Sequence, residues 1–173
     1  LAINDEQFIE RAEIIWEKGT NRAAFFRGEV DKYGWVDIGS SFLPSEIISA
    51  FLYAQLNQIK KIQEKRQAIW SLYDTLLRPE LEQFGIQLPY IPGYSGNNAH
   101  IYYLLCKNLA QRELIIQALK DKGIHAVFHY QSLHRSPYFK NKHDGRTLTN
   151  SDRFSDTLLR LPLYYELESH QII

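Results

Sequence analysis

An α/β fold is what this sequence predicts, and three observations predict it. A helical stripe begins at Ser45 and runs on for many turns. Beyond the Pro- and Gly-rich segment at 89–96, strand-like and helix-like runs alternate. A chain of 173 residues with 45% hydrophobic residues is long enough for one core, and one domain is the default.

The elements follow in order. Asn4 with Gln7 three residues later is a capping-box signature, and Phe8, Ala12 and Ile15 then share a helical face that Gly19 stops. The next two dozen residues hold Phe25, Phe26, Tyr33 and Trp35 without a sustained period. They read as a long loop ordered by aromatic side chains, a type of segment that usually carries function. Leu43-Pro44-Ser45-Glu46 signals a helix start, since proline at the first turn loses no hydrogen bond. Gly39-Ser40-Ser41 presents two hydroxyls beside the positive end of that helix, where a phosphate is welcome; a cap formed by Ser40 or Ser41 is the plainer alternative.

Ile48, Leu52, Ile59, Ile62, Ile69, Tyr73 and Leu76 recur at spacings of three, four or seven, so one very long helix is expected from Ser45 to about Pro79. Its charges at Lys60, Lys61, Glu64, Lys65 and Arg66 form a solvated face. After the Pro- and Gly-rich segment, 101–106 reads as a strand, 109–122 as a helix closed by Gly123, and 124–128 as a second strand. A helix capped near Asn150 or Ser151 leads to a strand at 159–163.

Composition excludes several classes of partner. Lys plus Arg equals Asp plus Glu at 20 each, which leaves no net field to draw in nucleic acid or an anionic membrane surface. No apolar run approaches a membrane span, and a soluble, cytoplasmic protein is expected. The single cysteine, Cys106, lies in an apolar run and reads as a buried inert thiol.

Two constellations could carry chemistry. Arg27, Tyr33 and Trp35 combine a rigid fork suited to a diphosphate with flat faces for a base or a sugar, against the plainer reading of a solvated arginine and two packed aromatics. His129, Tyr130 and His134 sit where the chain leaves a strand and can face a ligand, although such tips are also satisfied by neighbouring backbone. His125, His129, His134 and His143 are crowded, but their spacings do not suit chelation and no metal is expected. No lysine has the surroundings of a Schiff-base residue: Lys60, Lys61 and Lys65 lie on a charged helix, Lys120 and Lys122 close another, and Lys140 and Lys142 sit in a polar loop. There is no nucleophile elbow, phosphate-binding P-loop or Rossmann glycine fingerprint.

Several segments together resemble the nucleotide-sugar aminotransferases of the DegT/DnrJ/StrS type. They are Lys18-Gly-Thr-Asn-Arg22, Phe25-Phe-Arg-Gly28, residues 30–44, Asn98-Ala-His100, Ala126-Val-Phe-His-Tyr130 with Leu133-His134, and Leu159-Arg-Leu-Pro-Leu-Tyr164. They follow the family's order and span nearly the whole chain. The resemblance implies a fold-type I pyridoxal phosphate (PLP) protein, and within it the C-terminal small domain, a small, mainly antiparallel sheet with helices packed on one face, joined to a long connecting helix. Residues 1–43 would be a remnant of the large PLP domain with a loop that crosses the dimer, 44–80 the connecting helix and 81–173 the small domain.

The activity implied is transfer of an amino group from glutamate to C4 of a dTDP-4-keto-6-deoxyhexose by a homodimer. Ser40 and Ser41 would approach the partner subunit's PLP phosphate, the family generally carrying asparagine where this chain has Ser41. Arg27, Tyr33, Trp35, His129, Tyr130 and His134 would shape the nucleotide-sugar pocket. The Schiff-base lysine belongs to the family's first half, so no catalytic residue is expected here and the chain alone should be inactive. A non-catalytic module that dimerises or binds a sugar nucleotide is the alternative. Both ends read as cut, Leu1-Ala-Ile3 like the tail of a buried strand and 167–173 like an amphipathic pattern stopped early, so a fragment is expected.

Overall fold

The computed structural model describes residues 2–173, and the chain divides into two compact units, Leu1–Asn57 and Gln58–Ile173, where a single domain was the default expectation. In the first unit a 3-10 turn at Glu6–Phe8 leads into α1 (Ile9–Trp16), followed by α2 (Arg22–Phe26), an irregular segment and α3 (Glu46–Leu56). The first cap is Asp5, one residue after the expected Asn4; its side chain accepts from the Gln7 amide at 3.1 Å. The expected strand tail at the N-terminus is not seen at Ala2 and Ile3, which are exposed and irregular, and Leu1 lies outside the described residues.

Two glycines hold this unit together by close backbone approach. Gly19 adopts φ +83°, and a Cβ there would lie 1.8 Å from the Asp37 carbonyl oxygen. At Gly39 a Cβ would lie 2.1 Å from the Gly19 amide nitrogen. Only glycine permits both contacts. Around them the Val36 and Asp37 amides donate to the Gly19 carbonyl at 2.8 and 3.0 Å, and the Ser40 amide donates to Ile15 at 2.9 Å.

The expected single long helix is divided. α3 ends at Leu56 and α4 runs from Ile59 to Leu81, with Gln58 at φ −106° and ψ 6° between them. The Asn57 amide still donates to the Tyr53 carbonyl, so the interruption is confined to two residues. Apolar spacing carries across it, Leu52 and Ile59 being seven apart, and periodicity therefore gave no sign of the break. The Ser45 hydroxyl, not that of Ser40 or Ser41, caps α3 by accepting from the Ile48 amide at 3.4 Å.

In the second unit β1 (Tyr102–Leu105), α5 (Leu109–Asp121), β2 (Val127–Phe128), α6 (Thr149–Thr157) and β3 (Leu158–Leu161) follow α4. The sheet order is β1-β3-β2, with both pairings antiparallel. Its inner face carries Tyr102, Leu104 and Leu159, all 3% exposed or less, and Ile69 and Tyr73 of α4 join the same core. From α5, Ile115, Ile116 and Leu119 pack against that cluster. The opposite pleat carries Tyr103, Arg160 and Val127 in register across the three strands, and all three keep partial exposure.

Three boundaries differ from expectation for local reasons. β3 stops at Leu161 because Pro162 has no amide proton for the ladder. β2 is reduced to two residues; the Ile124 carbonyl is engaged in a tight turn by the Ala126 amide at 3.1 Å. α6 begins at Thr149, and Leu148 precedes it without a side-chain cap. The C-terminal pattern becomes a 3-10 turn, Ser169–Gln171, closed by a capping box between Glu168 and Gln171. Cys106 is buried and free, and burial pushes its thiol above its usual range, consistent with an inert core sulfur.

Candidate functional site

Ser40, Ser41, Arg27, Tyr33 and Trp35 belong to the first unit, and His129, Tyr130 and His134 to the second. In the first unit the Gly39–Ser41 loop is tied by its backbone to the end of α1. The Lys18 amide donates to the Ser40 carbonyl at 3.2 Å, and Ser41 forms an antiparallel bridge with Glu17. Both serine side chains are left exposed. The Ser40 amide is already engaged and, among the described residues, the Ser41 amide is not, so the two hydroxyls and the Ser41 amide are the groups with which these residues could meet a phosphate.

Arg27 is committed elsewhere. Its guanidinium is bidentate to Glu13, both contacts 2.9 Å, and donates to Glu29 at 2.7 and 3.1 Å. Hydrogen bonds donated to Glu29 and then to Glu13 hold its pKa above the usual arginine range, and the same pairing lowers Glu29. It borders a concavity of about 180 Å³ that also presents Glu10, Glu13 and Glu29, three carboxylates that disfavour an anion. Tyr33 packs its ring against Phe25 at 5.5 Å and stays half exposed, while Trp35 is 82% exposed. Those two faces are free to stack.

In the second unit the His129 and Tyr130 rings lie 5.2 Å apart; Tyr130 is largely exposed, and His129 Nδ1 is buried without a partner. His134 faces inward. Its Nε2 lies 3.1 Å from Asp152 Oδ1, and its ring lies 5.1 Å from that of His143. Asp152, eighteen residues away, was not visible as a partner in the sequence, whereas His143 belonged to the crowded histidine set. Among the described residues no group of three or more His, Cys, Asp and Glu side chains is arranged to hold a metal ion.

α4 anchors the Asn97–His100 segment. Gln63 donates to the Asn98 carbonyl, Gln67 to Asn97, and Arg66 to the carbonyls of Ala99 and His100. Ala99 is fully buried at φ +49°, a left-handed conformation that costs a non-glycine residue energy and persists where the surroundings enforce it.

A PLP cofactor would need a buried lysine for covalent attachment, and the described residues do not fit that role. Every lysine is exposed except Lys65, which keeps partial exposure and pairs with Glu168 at 3.3 Å. The exposed hydroxyls of Ser40 and Ser41 suit a phosphate oxygen, so these residues fit a phosphate contact and lack the covalent anchor.

Comparison with known proteins decides the family. The sequence profile of the DegT/DnrJ/EryC1/StrS aminotransferase family matches residues 1–173. The chain belongs to that family. A curated relative, the UDP-4-amino-4,6-dideoxy-N-acetyl-beta-L-altrosamine transaminase of Helicobacter pylori, is 25% identical over 171 residues, covering 98% of this chain and 44% of the relative. Among solved structures, the aminotransferase TlmJ from Streptoalloteichus hindustanus superposes with a TM-score of 0.80 at 19% identity, covering 99% of this chain and 43% of that one. PseC of Helicobacter pylori, an aminotransferase involved in the biosynthesis of pseudoaminic acid, gives 0.76 at 20% identity over 98% of this chain and 44% of that one. These structures share the fold, an α/β arrangement with a long helix and a small antiparallel sheet that is consistent with a fold-type I aminotransferase domain. The chain spans less than half the length of these relatives. No helix among the described residues is long and apolar enough to cross a membrane.

Proposed function

We propose that this family member is the C-terminal part of a PLP-dependent sugar aminotransferase, with 44–80 connecting the large domain to the small domain at 81–173. The observation that carries the reading is a whole-chain family match with no buried lysine among the described residues. Such a chain supplies surfaces for substrate and subunit contact, and the covalent cofactor anchor lies outside it. The reaction is transfer of an amino group from glutamate to C4 of a dTDP-4-keto-6-deoxyhexose. The resemblance favours the branch of the family that makes dTDP-4-amino-4,6-dideoxygalactose. PLP in the complete enzyme supplies the electron sink for amino transfer.

Within that reading the enzyme is a homodimer in the cytoplasm. Ser40 and Ser41 donate hydroxyl hydrogen bonds to the phosphate of the partner subunit's cofactor. Tyr33, Trp35 and Tyr130 offer exposed aromatic faces to the nucleotide sugar, and His129 contributes a buried ring nitrogen that has no protein partner. Arg27 reaches a diphosphate after exchanging Glu13 and Glu29 for it, and His134 acts by ordering the segment around Asp152.

The test is borohydride reduction of this chain in the presence of PLP, followed by peptide mapping. Solvent-exposed lysines are expected to label weakly and at random, with none reaching stoichiometric modification. Stoichiometric labelling of one lysine, with amino transfer from glutamate to a keto-sugar nucleotide, would show the chain to be a complete enzyme. The other reading, a stand-alone module that dimerises or binds a sugar nucleotide, is supported equally by the exposed lysines. The upstream reading frame separates the two: a lysine-bearing aminotransferase half there favours the enzyme, and a start codon at this boundary favours the module.

A further inference from the structure

The sheet's outer pleat holds a charged side chain that no hydrogen bond or ion pair of this unit engages. Arg160 occupies the middle of the central strand, directly opposite Tyr103 on β1 and Val127 on β2. Its Nε is buried and has no hydrogen-bond partner, and no ion pair of this unit uses its guanidinium. Buried guanidinium nitrogens are ordinarily paired, because leaving one unsatisfied forfeits its hydration without replacement. The arginines around it behave in that ordinary way: Arg78 is bidentate to Asp74, and Arg112 donates to Glu113 and to the Ser155 carbonyl.

Arg160 borders a concavity of about 220 Å³, with His100 and His125 as its other polar walls. The remaining lining is apolar, including Val127, Leu161 and Pro162. The His100 wall is built rather than loose, since Arg66 holds the His100 carbonyl and the preceding residue is the strained, buried Ala99. An apolar cavity of about 150 Å³ holds a benzene ring, so this concavity accommodates a molecule of roughly six to nine heavy atoms.

We propose that this concavity binds a small organic carboxylate. The carboxylate oxygens pair with the Arg160 fork, the imidazole N–H groups of His100 and His125 donate at the rim, and the hydrocarbon stem lies on Val127, Leu161 and Pro162. A planar guanidinium matches a carboxylate two-to-two, and an apolar floor favours a ligand with a carbon stem over a fully hydrated inorganic anion. The proposal draws only on the second unit and does not depend on the aminotransferase reading.

The probe is butyrate, titrated into the full chain while the imidazole C–H resonances of His100 and His125 are followed by NMR. Saturable shifts of both signals are expected, with little response to the neutral isostere butyramide and a weaker one to inorganic phosphate. Arg160→Gln should weaken butyrate about tenfold or more, the usual effect of losing a charged hydrogen bond, and Arg160→Lys should retain part of the affinity. The wild-type comparison of butyrate with butyramide stands even where a variant fails to fold. Absence of saturable shifts, equal binding of butyramide, equal binding of phosphate, or unchanged affinity in a folded Arg160→Gln chain would each overturn the assignment.

Discussion

Replacing Tyr73 by Phe should lower stability at neutral pH and raise it in strong alkali. Tyr73 is 8% exposed, its ring stacks on Tyr102 at 5.2 Å, and its hydroxyl donates to the Pro162 carbonyl at 2.9 Å. Burial, reinforced by the neighbouring Tyr164, pushes its pKa from an ordinary value near 10 up to about 12. Below pH 10 both folded and unfolded chains keep the proton, and the full contribution is present. Between pH 10 and 12 the unfolded chain ionises while the folded one stays neutral, so stability falls as pH rises. Two pKa units at 1.36 kcal/mol each set the limit of that loss at about 2.7 kcal/mol.

The Tyr73→Phe chain loses one hydrogen bond, about 1 kcal/mol, and also loses this alkaline penalty. It should therefore be less stable by about 1 kcal/mol at pH 8, equal near pH 11, and more stable above. The burial-raised pKa of Tyr102 is common to both chains and cancels in the difference to first order. Urea unfolding of both chains from pH 8 to 11.5, followed by near-ultraviolet circular dichroism, measures the crossing. A variant that remains less stable by the same increment at pH 11.5 would show that burial does not hold the Tyr73 hydroxyl neutral.

Three further outcomes are expected. Gly39→Ala places a Cβ 2.1 Å from the Gly19 amide nitrogen, so the 39–41 loop must move off α1; amide hydrogen exchange at Ser40 should rise sharply while exchange in β1 and β3 stays unchanged. On the proposed function, Tyr33→Ala or Trp35→Ala in a full-length sugar aminotransferase should raise the sugar-nucleotide KM more than it alters PLP retention, and loss of PLP with unchanged KM would reverse that proposal. The chain should self-associate at high concentration, because Ile47, Ile48, Phe51 and Leu52 of α3 are all more than half exposed. Light scattering showing a strict monomer without dye-binding apolar surface would oppose that expectation.

Features governed by neighbours along the chain were legible from the residues. α5 was placed to within a residue at each end from its helical run and the closing Gly123, which sits at φ +78°; the structure adds the cap, Asn108, through the Gln111 amide. β1 was recognised from its apolar run, and the inert character of Cys106 from the same run. Tyr33 and Trp35 were marked as candidate binding faces from residue type, Tyr130 from its place at a strand exit, and all three with the family resemblance; the structure leaves their rings exposed. Tertiary structure decided the rest. The break between α3 and α4 left the apolar spacing intact, and the order β1-β3-β2 depends on which strand edges meet after long connections. Arg27 was read as a free fork, and folding gave it Glu13, fourteen residues away; folding likewise brought His134 Nε2 to 3.1 Å from Asp152 Oδ1. Arg160 shows the converse, an arginine inside a strand-like run that gains significance only because no carboxylate reached it. Local pattern specifies caps, periods and turns because those forces act within a few residues. The partner of a charged side chain is set by contacts between distant segments, and the sequence encodes those only through the completed fold.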